Sequence, residues 1–146
     1  MVYRIMKRYR ILVVDDDNPT LEMLFQWLQD HNHCPTTTAC RGDQALALMK
    51  KQSFDVVLTN NMMPGMLGVE MADIIRRNGG PPVIIISGYY TKEYRFKAFA
   101  AGARAYVRKP IVLEWLPELI QDVVDRKLCY IGSGPPDKKA KGNTPR

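Results

Sequence analysis

The chain has 146 residues, 46% of them hydrophobic and 25% charged, with a net charge of +6. That length suits one domain and leaves no room for two of ordinary size. No apolar run approaches the ~20 residues of a membrane span, and Cys34, Cys40 and Cys129, an odd number without CxxC spacing, fit a reduced, cytoplasmic setting better than a disulfide framework or zinc site.

In chain order, residues 1–9 form a basic N-terminal extension with no apolar stretch or cleavage site of a signal peptide. Ile11-Leu12-Val13-Val14 is a short β-branched run with little alternation, the pattern of a strand buried on both faces. Asn18 is placed to cap a helix beginning at Pro19, with Leu21, Leu24, Phe25 and Leu28 on one face. His31 and His33 fall where that helix ends and read as charges favourable to a helix C-terminus. Pro35 to Ala39 is a threonine-rich weak strand, and Gly42 to Lys51 a helix. Phe54 to Leu58 is a third strand, and Met66 to Arg77 a helix stopped by Asn78-Gly79-Gly80-Pro81-Pro82.

Val83 to Ile86 is a fourth buried strand, and Thr91 is placed to cap a helix through Ala101, stopped by Gly102. Ala105-Tyr106-Val107-Arg108 is short and half polar, as an edge strand would be. A last helix is predicted from near Val112 to about Leu128, with Pro117 confined to its first turn. Residues 10–128 thus form the domain, and 129–146 a flexible C-terminal tail rich in Gly, Pro and Lys. The charge excess gathers at the two ends, as solvated termini do, and no nucleic-acid-binding motif accompanies it.

Five strands alternating with five helices predict a doubly wound α/β domain with helices on both faces of a parallel sheet. Ligands of such sheets bind beyond the carboxyl ends of the strands. There the chain places Asp15-Asp16-Asp17 after the first strand, Asn60-Asn61 after the third, Ser87-Gly88 at the fourth and Lys109-Pro110 at the fifth. Adjacent carboxylates repel unless a cation neutralises them, and a hard cation such as Mg²⁺ suits oxygen ligands. A hydroxyl and an ammonium suit phosphoryl oxygens. The outline is a phosphoryl-transfer pocket.

Val13 to Asp17, Met62-Met63-Pro64-Gly65-Met66, Ile85-Ile86-Ser87-Gly88 and Gly102 to Pro110 resemble, in order, the signatures of the bacterial two-component response-regulator receiver domain. The resemblance covers about Arg10 to Leu128. It implies a flavodoxin-like (βα)5 fold, a five-stranded parallel sheet of order 2-1-3-4-5. It implies that Asp15 and Asp16 hold Mg²⁺, with Asn60 and the backbone carbonyl of Met62 completing the metal site. Ser87 matches the switch hydroxyl, Lys109 the lysine that contacts the phosphoryl group, and Tyr106 the aromatic whose rotamer reports the state of the hydroxyl. Lys109-Pro110 resembles the family's cis peptide. A half-buried Tyr106 on an edge strand also fits packing alone, and Met62, Met63 and Met66 read as packing rather than sulfur ligands.

The departure is Asn60, at the phospho-acceptor position where the family has aspartate. An amide oxygen is a poor nucleophile and its product would not be an acyl phosphate. One negative charge also leaves the metal site, so Mg²⁺ binding is expected to be weak. Natural loss of the acceptor, an introduced substitution, and phosphorylation of a neighbour such as Asp15 or Asp16 or conversion of the amide to the acid all fit the sequence. The expected partners are a histidine kinase or phosphotransfer protein, or a downstream protein target. The resemblance implies that the fourth helix, fifth strand and fifth helix form the contact face, which also admits a homodimer. A haloacid-dehalogenase-type phosphatase is the enzymatic alternative, but Asp15-Asp16-Asp17-Asn18-Pro19 has proline at the fifth position and no acidic pair follows Lys109.

Overall fold

A computed structural model describes residues 7–125 and 129–132. Strands β1 (Ile11–Val14), β2 (Thr36–Ala39), β3 (Val56–Thr59), β4 (Val83–Ser87), β5 (Ala105–Arg108) and β6 (Tyr130–Gly132) form one parallel sheet, ordered β2-β1-β3-β4-β5-β6. Helices α1 (Asn18–Phe25), α2 (Gly42–Lys51), α3 (Gly68–Arg77), α4 (Lys92–Ala100) and α5 (Leu116–Val124) connect them. The side chains of β1 alternate between two cores. Ile11 and Val13 pack with Leu24 of α1, with Leu28 just beyond it, and with Leu116 and Leu119 of α5. Leu12 and Val14 pack with Ala45, Met71, Ile75 and Ala98 from α2, α3 and α4. Burial on both faces explains why this strand carries no polar alternation.

The sheet has six strands, not the five expected. Tyr130, Ile131 and Gly132 pair in register with Ala105, Tyr106 and Val107, so part of the segment assigned above to the tail is strand. Residues 133–146 lie outside the described residues. Tyr130 donates its N–H to the Arg104 carbonyl at 2.9 Å and sets its ring edge-on to Trp115, 5.2 Å between centroids. Strand β5 is therefore covered, and Ala105, Tyr106 and Val107 are buried, contrary to the edge position expected for it. The N-terminal extension also contributes to the core, because Tyr9 is buried and donates its hydroxyl to Asp125 at 2.6 Å.

Several boundaries differ from expectation for local reasons. Asp17, not Asn18, caps α1, accepting the Thr20 N–H at 3.1 Å, while Pro19 lies in the first turn. Beyond Phe25 the helix widens into a π-helical turn, Gln26–His31. His33 ends it in the left-handed region at φ 56°, with the N–H of Cys34 reaching back to the Leu28 carbonyl. Helix α3 begins at Gly68 rather than Met66, because Leu67 is extended and takes the cap position, its N–H donated to Glu70 Oε1 at 3.0 Å. Pro117 sits in the first turn of α5, as expected, behind a 3₁₀ turn at Leu113–Trp115. Helix α5 ends at Val124 with Asp125 as its cap, short of the expected Leu128, and residues 126–128 lie outside the described residues.

Candidate functional site

Parallel pairing sets the site residues side by side. Val14 is in register with Thr59 and Ser87 with Arg108, so the residues just beyond β1, β3 and β5 emerge together. Two backbone hydrogen bonds extend the ladders into the site: Asn60 N–H to the Val14 carbonyl and Lys109 N–H to the Ser87 carbonyl, each 2.9 Å. The Lys109–Pro110 peptide is cis, as the resemblance implied.

Asp15 is buried, and its carboxylate accepts from the Asp17 N–H at 3.0 Å and from the Lys109 ammonium at 3.0 Å. Burial pushes its pKa up from the ordinary aspartate range, against the pull of those two donors. Asp16 is exposed and Asn60 half-buried. The Asn60 Nδ2 donates to Asp16 Oδ1 at 3.2 Å and to the Met62 carbonyl at 3.0 Å, while its Oδ1 accepts from Lys109 Nζ at 3.3 Å. Asp15, Asp16, Asn60, Met62 and Lys109 are thus one connected cluster. It borders a cleft of about 400 Å³ whose apolar wall includes Val13, Leu24 and Ile111.

Ser87 and Tyr106 form an adjoining pair. The fully buried Ser87 hydroxyl accepts the Tyr89 N–H at 3.1 Å. The Tyr106 ring is fully buried too, and its hydroxyl donates to the Tyr89 carbonyl. Burial raises the Tyr106 pKa, opposed by a hydrogen bond with Ser87. Tyr90 packs on the Tyr106 ring at 5.9 Å, and the Arg95 guanidinium lies 4.7 Å from the Tyr90 centroid.

Two residues of the site escaped the sequence reading. Asn61 is fully buried, and its Oδ1 accepts the Val69 N–H at 3.1 Å, while its carbonyl accepts from Gly68 at 2.8 Å. It thereby caps α3 from outside the helix and fixes the loop that carries Met62. Gly68 permits this, since a β-carbon there would stand 2.4 Å from the Asn60 carbonyl oxygen. Only the dipeptide Asn60-Asn61 hinted at a second polar residue, and nothing in the sequence marked Gly68.

The model for the response regulator receiver domain matches residues 11–121. The chain belongs to that family. The receiver domain is 32% identical over 123 residues to chemotaxis protein CheY-3 of Vibrio cholerae, covering 82% of this chain and 95% of that protein. It is 34% identical over 119 residues to the two-component response regulator ARR12 of Arabidopsis thaliana, covering 79% of this chain but 20% of that protein. The chain therefore spans about a fifth of that plant relative's length. Among solved structures, a CheY-like receiver from Methanospirillum hungatei superposes with a TM-score of 0.76 at 29% identity, over 83% of this chain and 97% of that one. Receiver domains are signalling modules of two-component systems, generally not enzymes, and the phosphatase alternative gives way to this assignment. Response regulators interact with histidine kinases or phosphotransfer proteins and with downstream targets. No helix among the described residues is long and apolar enough to cross a membrane.

Receiver domains typically bind Mg²⁺ at the acceptor site. In this receiver the cluster does not fit that ion as it stands. Asp16 Oδ1 and the Met62 carbonyl are turned onto the Asn60 Nδ2, a nitrogen that carries two protons and cannot be a ligand. Among the described residues no group of three His, Cys, Asp or Glu side chains is placed to hold a metal.

Proposed function

We propose that this receiver domain signals through protein–protein contacts without accepting a phosphoryl group. The observation that carries the reading is the carboxamide of Asn60, which stands at the acceptor position between Asp16 and Lys109. A carboxylate attacking phosphorus would yield a mixed anhydride, whereas the amide supplies no competent nucleophile. Mg²⁺ binding is weak for a separate reason: Asn60 carries no charge, and hard divalent sites gain affinity from carboxylate count. A second reading, an acceptor aspartate replaced at 60, draws on the integrity of the surroundings, where Asp15, Asp16 and Lys109 stay in contact with position 60 or with one another.

The partner is a histidine kinase, a phosphotransfer protein or a downstream protein, met on the α4–β5–α5 side of the domain, where β6 rather than β5 forms the sheet edge; the same side also serves a homodimer. Supporting that choice, Phe96 of α4 is 75% exposed and Tyr89 just before it 55%. Residues 10–128 form the receiver, extended by Tyr9 and β6.

Incubation with acetyl phosphate and Mg²⁺, read by intact mass, tests the reading. The chain as written should gain nothing, and Asn60→Asp should gain one phosphoryl group labile to hydroxylamine, because the surrounding charges are already in place. A phosphoryl group on the unmodified chain would reveal another acceptor and overturn the reading.

A further inference from the structure

An aspartate at position 60 would bring a third carboxylate to a cleft that already holds Asp15 and Asp16 against one ammonium, Lys109. One of its oxygens would accept from Lys109, as the Asn60 Oδ1 does. The other would face Asp16 Oδ1 and the Met62 carbonyl with no proton between them, an arrangement of acceptors that only a cation resolves. Asparagine resolves it with its own protons. The carboxamide can be oriented in one way only: Asp16 Oδ1 and the Met62 carbonyl accept and do not donate, and the Lys109 ammonium donates and does not accept. Turning the amide over would oppose like groups at all three contacts.

We propose, resting on the reading of Asn60 as a non-phosphorylated acceptor position, that its carboxamide N–H₂ takes the place of the divalent cation. It bridges Asp16 and the Met62 carbonyl and holds the two loops together in metal-free solution. This differs from a metal site merely weakened by a missing charge. A weakened site is loose until metal arrives, whereas this one is already closed, and Mg²⁺ must break two hydrogen bonds to enter. Mg²⁺ lies about 2.0–2.1 Å from its oxygens and keeps several waters, so it cannot share the position with the nitrogen.

The test compares the chain with Asn60→Asp and Asn60→Ala in EDTA and in millimolar Mg²⁺, by thermal unfolding and by the side-chain amide resonances of Asn60. The latter are identified by their loss in the Asn60→Asp spectrum. The chain as written should melt at the same temperature in both solutions, with its Asn60 amide protons protected from exchange and unmoved by Mg²⁺. Asn60→Asp should melt roughly 3–6 °C lower in EDTA and recover with Mg²⁺. Asn60→Ala, which adds no charge, should also melt lower in EDTA. An Asn60→Asp protein as stable in EDTA as the parent, or Asn60 amide resonances that shift saturably with Mg²⁺, would overturn the replacement. Intact mass after acetyl phosphate on the same samples separates the two readings. Phosphoryl uptake by the unmodified chain would sink the non-phosphorylated function, and a Mg²⁺-dependent melting point without uptake would sink only the cation replacement.

Discussion

The first residue of α3, Gly68, lies so close to the Asn60 main chain that an added β-carbon would stand 2.4 Å from the Asn60 carbonyl oxygen. The neighbour is backbone, not the end of a flexible side chain, so Gly68→Ala must push the helix away from the site. Overpacking of this kind costs about 1–3 kcal/mol. Urea unfolding should show a lower midpoint at unchanged slope, and a midpoint equal to the parent's would mean that the approach is looser than described.

Asn61 should matter for stability as much as any apolar core residue of its size. Its buried Oδ1 holds the Val69 N–H, one of the N–H groups that a helix start leaves without a partner. Asn61→Ala is expected to destabilise the fold by about 1–3 kcal/mol, the cost of an unsatisfied buried donor. Hydrogen exchange at Val69 should accelerate with it.

Lys109→Met leaves the Asp15 carboxylate, 4% exposed, without its ammonium partner. The lysine is itself 30% exposed, so the loss should be about 1–3 kcal/mol, below that of a fully buried pair. Removing the ammonium raises the folded-state pKa of Asp15 further, beyond the rise that burial already causes. A carboxyl raised in this way favours folding when protonated and loses that contribution as pH increases through its folded-state value. The gap between variant and parent should therefore be widest at neutral pH and narrow in acid. A gap independent of pH would place the effect elsewhere.

Alkaline stability should report on Tyr9. Burial first, and then the hydrogen bond to Asp125, push its hydroxyl well above the ordinary value of 10.0. The folded chain keeps a proton that the unfolded chain releases, so this stability is complete below about pH 10 and is lost as pH rises beyond it. Tyr9→Phe should lie below the parent at neutral pH and show a flatter decline in the alkaline range. Parallel declines would rule out Tyr9 as the titrating group.

The strands and the acceptor cluster were legible because each rests on short-range signals. β-branched runs mark doubly buried strands, and polar residues follow directly at their carboxyl ends, as at Asp15, Asn60 and Lys109. What escaped depends on contacts distant in sequence. Gly68 is required by the carbonyl of a residue on another element, and nothing local distinguishes it from an ordinary helix-start glycine. Asn61 caps a helix that begins seven residues after it. Asp17 and Asn18 are both good caps, and only geometry chooses between them. Strand β6 spans three residues and includes Gly132, too short for periodicity to register.

Strand β6 also has a consequence for a chain still being synthesised, in which it emerges last of the six strands. Its partner β5 ends at Arg108, and pairing with it reaches Gly132 only after a connection that contains all of α5. Until those last residues leave the ribosome, the emerging chain presents β5 as an open edge with unpaired N–H and carbonyl groups, a template for another chain. Completion of β6 closes that edge and moves the boundary of the sheet outward by one strand. A chain stalled or cut before Tyr130 would keep the cluster around Asn60 but lose the ring that packs on Trp115, and would expose the main chain of Ala105, Tyr106 and Val107 beside the very face on which partners are expected to dock.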